Sequence, residues 1–464
     1  MYIDTSSYYP ISIDKIISKI EKKQKKYPRS LEKLDNIKEY INKYGEKIKQ
    51  IDGEIPKHLE IINGDRFLFI SYDQSILTHG LHKYPAKFFP ELPRWLIKRY
   101  SKRGDMILDP FMGSGTTNVE ALLNSRHSVG IDIDPFSRFL SKVKTTPLLV
   151  DELNFVNKYL LRAMVNYKPT KVEEIEIPIF PYRDNWFNKE IILELAYIKK
   201  RINSLDVSIN TKNFLKICFS SIIRSVSNAD NNCTRTVIRK KLNKQVFPSD
   251  ALKKFVYAIL ISIPKVIEFS KMVQKNVEIN IPEDQDAREL SKYPDNYFDL
   301  AVTSPPYVNA VDYPRTHQLE LYWLGFANDS LVELKRKHVG NESVLKKDYQ
   351  ILKNTNINKA DTVISKIFEK DPRRAFIAYK YLIDMKINLI EVYRTLRKGG
   401  RYVIVVGNNK IRNELFENWK YLIEIANNVG YDTELYFGSE IIKHFIKVPR
   451  EERINTDWVI VLRK

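Results

Sequence analysis

Residues 106–135, MILDPFMGSGTTNVEALLNSRHSVGIDIDP, set a short apolar run, a glycine-rich turn, a helical stretch and a second apolar run in that order. This is the grammar of a βαβ unit, with strands expected near 106–109 and 128–132. Gly113 and Gly115 fall where the first strand hands over to the helix. Glycine suits that turn because a Cβ would block close approach of a ligand to the backbone, and because φ > 0 is open to it. The turn is neither the GxGxxG dinucleotide fingerprint nor a lysine-bearing phosphate loop. It offers no positive charge to a pyrophosphate, so adenosine without phosphates fits it better. Asp132, at the end of the second run, can accept both hydroxyls of a ribose.

The same texture returns downstream. YFDLAVT (297–303) reads as a buried strand ending at Ser304-Pro305-Pro306-Tyr307, and RYVIVVG (401–407) as a core strand. YDTELYFG (431–438) and TDWVIVLRK (456–464) read as a closing pair of strands. A helix is expected over 373–396, stopped at Gly399-Gly400. These segments predict an α/β unit in two parts, 71–150 and 281–464. Residues 151–280 separate the parts and carry long helical patterns, which predicts a helical insertion. Residues 14–49 show apolar positions at helical spacing interrupted by Pro28, so 1–70 is expected to be a helical N-terminal segment. Its lysines read as a solvated helix face. Residues 327–371 are polar and irregular.

The chain has 464 residues and a formal net charge of +19, which favours a polyanionic partner. Its two cysteines, Cys218 and Cys233, cannot build a disulfide framework or a four-ligand zinc site, and no metal is expected. The N-terminus lacks a basic-then-apolar signal region, and no apolar run approaches ~18 residues. A cytoplasmic, nucleoid-associated prokaryotic protein with no membrane partner is expected.

Ser304-Pro305-Pro306-Tyr307 suits one difficult reaction. The lone pair of an exocyclic amine on a base is delocalised into the ring, and fixed acceptors for its N–H bonds favour a pyramidal, nucleophilic nitrogen. Proline locks φ, so the Ser304 hydroxyl and the Pro305 carbonyl are held in place. Tyr307 offers a flat face to a base extruded from a duplex. Methylation at cytosine C5 is disfavoured, because it needs a thiolate in a Pro-Cys context, whereas Cys218 follows Ile217 and Cys233 follows Asn232. Asp312 and His317, just beyond, read as helix-start and packing residues.

The Asp-Pro-Phe-x-Gly-x-Gly-Thr string at 109–116 closely resembles the S-adenosylmethionine (AdoMet) loop of the amino-methylating DNA methyltransferases, and HKYPAKFFP (82–90) is similar to the motif lining the cofactor's methionine end. The resemblance covers about 79–135 and 283–464. It implies a Rossmann-like AdoMet-dependent methyltransferase fold, a mostly parallel sheet with an antiparallel C-terminal strand pair, plus the helical insertion. It implies that Asp109 holds the methionine ammonium, Phe111 packs against the cofactor, Gly113 and Gly115 form the floor and Asp132 takes the ribose. Tyr84, Pro85, Ala86, Lys87 and Phe88 would line the methionine end, and Asp286 would reach the adenine amino group. Pro110, Ser114, Thr116, Ile133 and Ala287 complete the implied cofactor set. The family often has Gly-Asp-Ala where this chain has Gln285-Asp286-Ala287, a departure that bears on Asp286.

Within the resemblance, Ser-Pro-Pro-Tyr is found mostly in cytosine-N4 enzymes, and the continuation VNAVDYPRTHQLELYWLG looks like one N4 subgroup. The implied activity is site-specific methylation of cytosine N4 in duplex DNA, within a restriction–modification system whose cognate endonuclease is a separate chain. Adenine-N6 methylation of DNA, methylation of an RNA base, and a non-catalytic nucleic-acid-binding protein are the rival readings.

For target recognition the insertion leads. Residues 211–256 hold ten Lys/Arg against Asp230 and Asp250, a net +8. Asn228, Arg235, Arg239, Lys240 and Lys241 are the candidate DNA-binding residues, Asn and Arg for base edges and Lys for phosphates. Asn185-Trp186-Phe187 also stands out, and 327–371, with Lys-Arg-Lys-His at 335–338, is the competing segment.

Overall fold

The computed structural model describes residues 37–42, 45–71, 73–168, 176–283, 285–308, 311–441 and 456–464. Strands β1 (Ile37–Ile41), β2 (Lys47–Asp52), β3 (Arg66–Ile70), β4 (Met106–Asp109), β5 (His127–Gly130), β6 (Ile279–Asn280), β7 (Phe298–Thr303) and β8 (Leu396–Gly407) join one sheet with the closing pair. Two short strands, β9 (Asn409–Ile411) and β10 (Glu414–Phe416), form a separate hairpin, and the closing pair is β11 (Asp432–Glu440) and β12 (Thr456–Arg463). The order across the large sheet is β1-β2-β3-β11-β12-β8-β7-β4-β5-β6. β4 lies parallel to both β5 and β7, β7 is parallel to β8, and β12 runs antiparallel to β8 and β11. This is the Rossmann-like AdoMet-dependent methyltransferase fold, mostly parallel with an antiparallel closing pair.

Strands buried on both faces read as continuous apolar runs, and β4, β7, β8 and β12 do so. On one face Ile107, Val302, Val403 and Phe437 pack with Leu92, Trp95 and Leu96 of α1 (Glu91–Tyr100). On the other, Leu108, Ala301, Tyr402 and Ile460 meet α10 (Asn358–Lys370), α11 (Pro372–Thr395) and α12 (Asn418–Val429). Helices α2 (Thr116–Leu123) and α3 (Pro135–Lys144) follow β4 and β5.

The insertion is helical, with α4 (Val150–Val165), α5 (Lys189–Asn203), α6 (Ile209–Ile223) and α7 (Asp250–Met272) around an irregular stretch over 227–249. Its core is continuous with Phe136 and Leu140 of α3 and with Leu319 and Trp323 of α8 (Gln318–Leu324). Trp323 is fully buried, its ring centroid 5.8 Å from Phe187 and 6.0 Å from Phe219.

Three expectations need correction. Residues 37–52 are not helical: β1 and β2 pair antiparallel, and β2 pairs parallel with β3, which joins the main sheet through β11. Ile48 and Ile51 are buried there, so the isoleucines that look helical in spacing are set by strand pairing, a tertiary effect that overrides local pattern. The expected break at Pro28 lies outside the described residues. Gly399-Gly400 does not stop the helix: α11 ends at Thr395 and the chain enters β8 at once. There the pairing with β7 jumps from Phe298↔Leu396 to Leu300↔Arg401, and Gly399 takes φ +77° within the extra residues of this bulge. Finally, 327–371 is not irregular throughout, since it holds α9 (Val332–Lys337) and α10, whose Ala360, Ile364 and Ile367 are buried at helical spacing. Among the described residues no helix is long and apolar enough to cross a membrane, and no His/Cys/Asp/Glu group could hold a metal ion.

Candidate active site

In open α/β sheets ligands bind beyond the carboxyl ends of the strands, where the connections diverge. Here that point lies between β4 and β7, and a cavity opens there, lined from both strand ends by Asp109 and Ser304. β4 ends on Asp109, whose Oδ1 accepts from Thr303 Oγ1 (2.6 Å) and Phe111 N (3.2 Å). Burial pushes this carboxyl up to about 6 against those bonds. Asp132, past the end of β5, accepts from Gly113 N (2.9 Å) and Asp134 N (2.8 Å), and burial together with Asp134 raises it to about 6. One contact on each oxygen leaves each a further lone pair. Asp132 therefore braces the glycine turn and still presents acceptors to the cavity. Asp134 is the N-cap of α3, accepting from Phe136 N and Ser137 N.

Gly113 (φ +48°) and Gly115 (φ +74°) both take left-handed backbone, as the sequence reading requires. Their reasons differ. Gly113 lines the cavity, and a Cβ there would stand 3.4 Å from the Tyr84 ring. Gly115 does not line it: its Cβ would meet Ser141 Oγ at 2.7 Å, so it allows α2 and α3 to pack and is not cofactor floor. α3 also steadies the turn, through Ser141 Oγ to Gly113 O (2.9 Å) and the fully buried Lys144 Nζ to Ser114 O (2.5 Å).

Tyr84 is buried, hydrogen-bonded to Ser137 Oγ (2.8 Å) and stacked on Tyr313 and His317. Ala86 is held at φ +51°, an unusual conformation for a residue with a Cβ, and lines the cavity with Lys87 and Phe88. Pro110, Phe111, Ser114, Thr116, Ile133, Asp286 and Ala287 also line it, whereas Pro85 faces a neighbouring cleft. Asp286 is gripped in a two-point ion pair by Arg288 (2.6 and 2.9 Å), which holds its carboxyl below the usual range and occupies much of its acceptor capacity.

Tyr313, Lys337 at the end of α9, and His338 and Val339 just after it also line the cavity. Only the histidine in the basic run could have signalled that wall. His338 Nε2 stands 3.7 Å from Asp134 Oδ2, whose charge raises the imidazole. The residues present fit AdoMet. The carboxylates of Asp109 and Asp132 face the cavity, aromatic walls flank it, and Thr116 Oγ1 is buried there with no protein partner.

The Ser304-Pro305-Pro306-Tyr307 string begins where β7 ends. Ser304 lines both this cavity and the larger cleft beside it; Pro306 lines the cavity, Tyr307 the cleft, and Pro305 is buried. Tyr307 Oη donates to Asp457 Oδ1 (2.9 Å). Asp312 caps the helical turn after the string, accepting from Arg315 N (3.1 Å), and His317 is buried against Tyr84 and Phe136 with its imidazole pushed down to about 3. Asp312 thus starts a helical turn, and His317 packs among aromatic rings while also lining the cleft.

Across the cleft stand Ser221, Arg224 and Asn231–Thr234 of the insertion. Arg224 donates to the carbonyls of Asp230, Cys233, Thr234 and Arg235, and Lys244 to those of Arg224 and Ala229. These cations organise the loop. Asn228 Nδ2 donates to Asn185 O (2.9 Å), joining the two stretches that stand out in the sequence and committing that amide to structure. Arg235, Arg239, Lys240 and Lys241 are exposed. Arg239 lies 3.4 Å from Asp230, and Arg235 lies 3.8 Å from Glu342 of the competing segment. In that segment Lys335 pairs with Asp312 (3.1 Å) and Arg336 with Glu333 (2.6 Å).

AdoMet affinity should be pH-dependent with a definite sign. Asp109 and Asp132 are neutral below about 6 and ionised above it, so binding of the cationic cofactor should tighten as pH rises through 6 and level off beyond. Asp132→Ala should weaken binding by 10- to 150-fold, from about 1.5–3 kcal/mol of charge-assisted hydrogen bonding. Calorimetry showing unchanged affinity would move the ribose away from Asp132.

The first 139 residues match the DNA methylase family N6_N4_Mtase. The chain is 27% identical over 410 residues to the Type II methyltransferase M.MvaI of Kocuria varians, covering 81% of this chain and 85% of that one. It is 26% identical over 414 residues to the Type II methyltransferase M.BsoBI of Geobacillus stearothermophilus, covering 77% and 79%. A distant structural likeness is to a SAM-dependent methyltransferase of Methanosarcina mazei, at 11% identity and a TM-score of 0.29, covering 82% of this chain and 98% of that one. The relatives that this chain is similar to along most of its length are Type II DNA methyltransferases.

Proposed function

We propose that the protein methylates the exocyclic N4 of a cytosine flipped out of duplex DNA, as the modification enzyme of a restriction–modification system with a separate endonuclease. One observation carries the reading: Ser304 stands on the wall shared by the cofactor cavity and the open cleft. A base entering the cleft would bring its amine to the serine hydroxyl of this string, beside the cofactor. AdoMet supplies an electrophilic methyl group on a sulfonium. Asp109 and Asp132 orient the two ends of the cofactor, Ser304 accepts a hydrogen bond from the target amine, and Pro305 and Pro306 hold that acceptor rigid. The Ser-Pro-Pro-Tyr resemblance supports N4 of cytosine over N6 of adenine. Digesting DNA methylated in vitro to nucleosides, and weighing them against N4-methylcytosine and N6-methyladenine standards, tests the assignment. N6-methyladenine alone would overturn it in favour of the adenine reading.

Arg235, Arg239, Lys240 and Lys241 are exposed and offered to phosphates; Arg239 and Arg235 also face Asp230 and Glu342, as Lys335 and Arg336 of the competing run face Asp312 and Glu333. DNA affinity should fall steeply with salt. Neutralising Arg235, Arg239 and Lys240 together should flatten the slope of log affinity against log salt by about one unit per lost phosphate contact. A slope that holds, but changes on neutralising 334–338, would assign phosphate contact to the other segment.

A further inference from the structure

β8 runs parallel to β7, with Thr303 beside Ile404, and β12 runs antiparallel to β8, with Asp457 opposite Gly407. The start of this late strand therefore stands just past the level at which β7 ends, where the Ser304-Pro305-Pro306-Tyr307 string leaves the sheet. It brings a carboxylate to a phenol 150 residues earlier in the chain, and Tyr307 Oη donates to Asp457 Oδ1 at 2.9 Å. Both residues line the open cleft, and both are only partly buried.

The root of Tyr307 is held independently of that bond. Pro306 fixes its own φ just before it. Asn409 Nδ2 donates to Val308 O (2.7 Å) just after it, and Gly340 comes so close that a Cβ there would stand 2.9 Å from Tyr307 O. The side chain packs against the core on the α11 face of the sheet. Its tip is held by Asp457. A phenol has one proton to donate, and its O–H lies in the plane of the ring. An acceptor at a fixed place therefore sets the direction of the ring axis and favours one tilt. The bond also uses the only proton of the phenol, so the ring meets the cleft as a surface and not as a donor. A carboxylate on the wall of a cleft meant for DNA works against phosphate affinity. Among the described residues, its one side-chain hydrogen bond is to Tyr307.

We propose that Asp457 is a positioning residue that holds the Tyr307 ring in the attitude at which it stacks on the flipped base, so that the platform is set before the base arrives. The inference rests on the reading of Tyr307 as the face that receives the base. A side chain that must be ordered during binding weakens it, whereas a ring fixed in advance does not.

The test compares the affinity of the full chain for two duplexes. One carries the target base in a mismatch at the methylated position, which makes flipping cheap, and the other has an abasic site there. Asp457→Ala and Tyr307→Phe should each lower affinity for the base-bearing duplex about 3- to 10-fold, and the double variant should be no weaker than either. Asp457→Asn, whose amide oxygen still accepts from Tyr307, should recover most of the loss. Tyr307→Ala, which removes the ring, should lose about 5- to 150-fold. None of these variants should bind the abasic duplex more weakly than wild type, and calorimetry should show AdoMet affinity unchanged in Asp457→Ala. Wild-type affinity of Asp457→Ala for the base-bearing duplex beside a loss in Tyr307→Ala would overturn the inference alone. So would additive losses in the double variant, or an equal loss of Asp457→Ala on both duplexes. A Tyr307→Ala chain that binds both duplexes as wild type does would instead remove the stacking reading beneath it. Should Asp457→Ala fail to fold, Tyr307→Phe decides the matter, and wild-type affinity for the base-bearing duplex in that variant overturns the inference.

Discussion

Ser304→Ala should lower single-turnover methyl transfer by about 10²–10³ while AdoMet and DNA bind as before. One preorganised hydrogen bond to the reacting group is removed, and such bonds carry effects of that size. The backbone around it has other supports: Pro305 and Pro306 fix φ on either side of their shared bond, and Asn409 Nδ2 donates to Val308 O (2.7 Å) just beyond. Alanine keeps the Cβ, so the wall between cavity and cleft stays closed. Binding should therefore survive, and a fluorescent base analogue at the target position should report normal flipping. A Ser304→Ala enzyme that transfers at the wild-type rate would end the assigned role of the serine and remove most of the reason for preferring cytosine to adenine.

The second large effect concerns stability. Glu120, on the helix that follows the glycine turn, has a fully buried side chain and accepts from His79 Nε2 (2.8 Å), Arg94 Nε (2.8 Å) and Arg94 Nη2 (3.0 Å). Burial pushes His79 down to about 4, so the imidazole is neutral and the charge pair is Glu120 with Arg94. Glu120→Ala leaves the guanidinium with Glu54 alone, a partner that is 59% exposed. Removing one partner of a buried pair costs about 3–5 kcal/mol, because the other charge stays desolvated. Urea denaturation should show the loss as a lower midpoint. A cost under ~1 kcal/mol would mean that water reaches Arg94 and replaces the carboxylate.

The βαβ unit was legible because its signals are local: two glycines, an acid at each strand end and apolar runs of strand length lie within 30 residues. The closing strands were legible for the same reason. Sites assembled from distant chain were not. Lys337, His338 and Val339 reach the cofactor cavity from a polar stretch about 200 residues beyond Asp132, and Asp457 meets Tyr307 only because β12 runs backwards beside β8. Gly115 was legible as a glycine but not for its reason, since Ser141 is its neighbour only once α3 folds back. At 37–52 the isoleucine spacing matched a helix, and the hydrogen bonds that decide for strands come from β3. The grip of Arg288 on Asp286 spans two residues, yet nothing in their order distinguishes an ion pair from a free ligand acid.

The core of the insertion does not end at its borders. Phe136 and Leu140 belong to it, while Ser141 and Lys144 of the same helix hold the carbonyls of the cofactor turn. The insertion is therefore not an exchangeable cassette. A chimera importing another enzyme's 151–280 would face Trp323 with unmatched surfaces and loosen the helix that steadies Gly113 and Ser114. On the DNA-contacting role proposed for this stretch, new target preferences are open instead to drift along 231–243, where Arg224 anchors the backbone through the carbonyls of Cys233, Thr234 and Arg235 and many side chains stand exposed. Specificity in this lineage would then diversify by side-chain replacement on a fixed loop, with the helices beneath it held to their packing by the demands of cofactor binding.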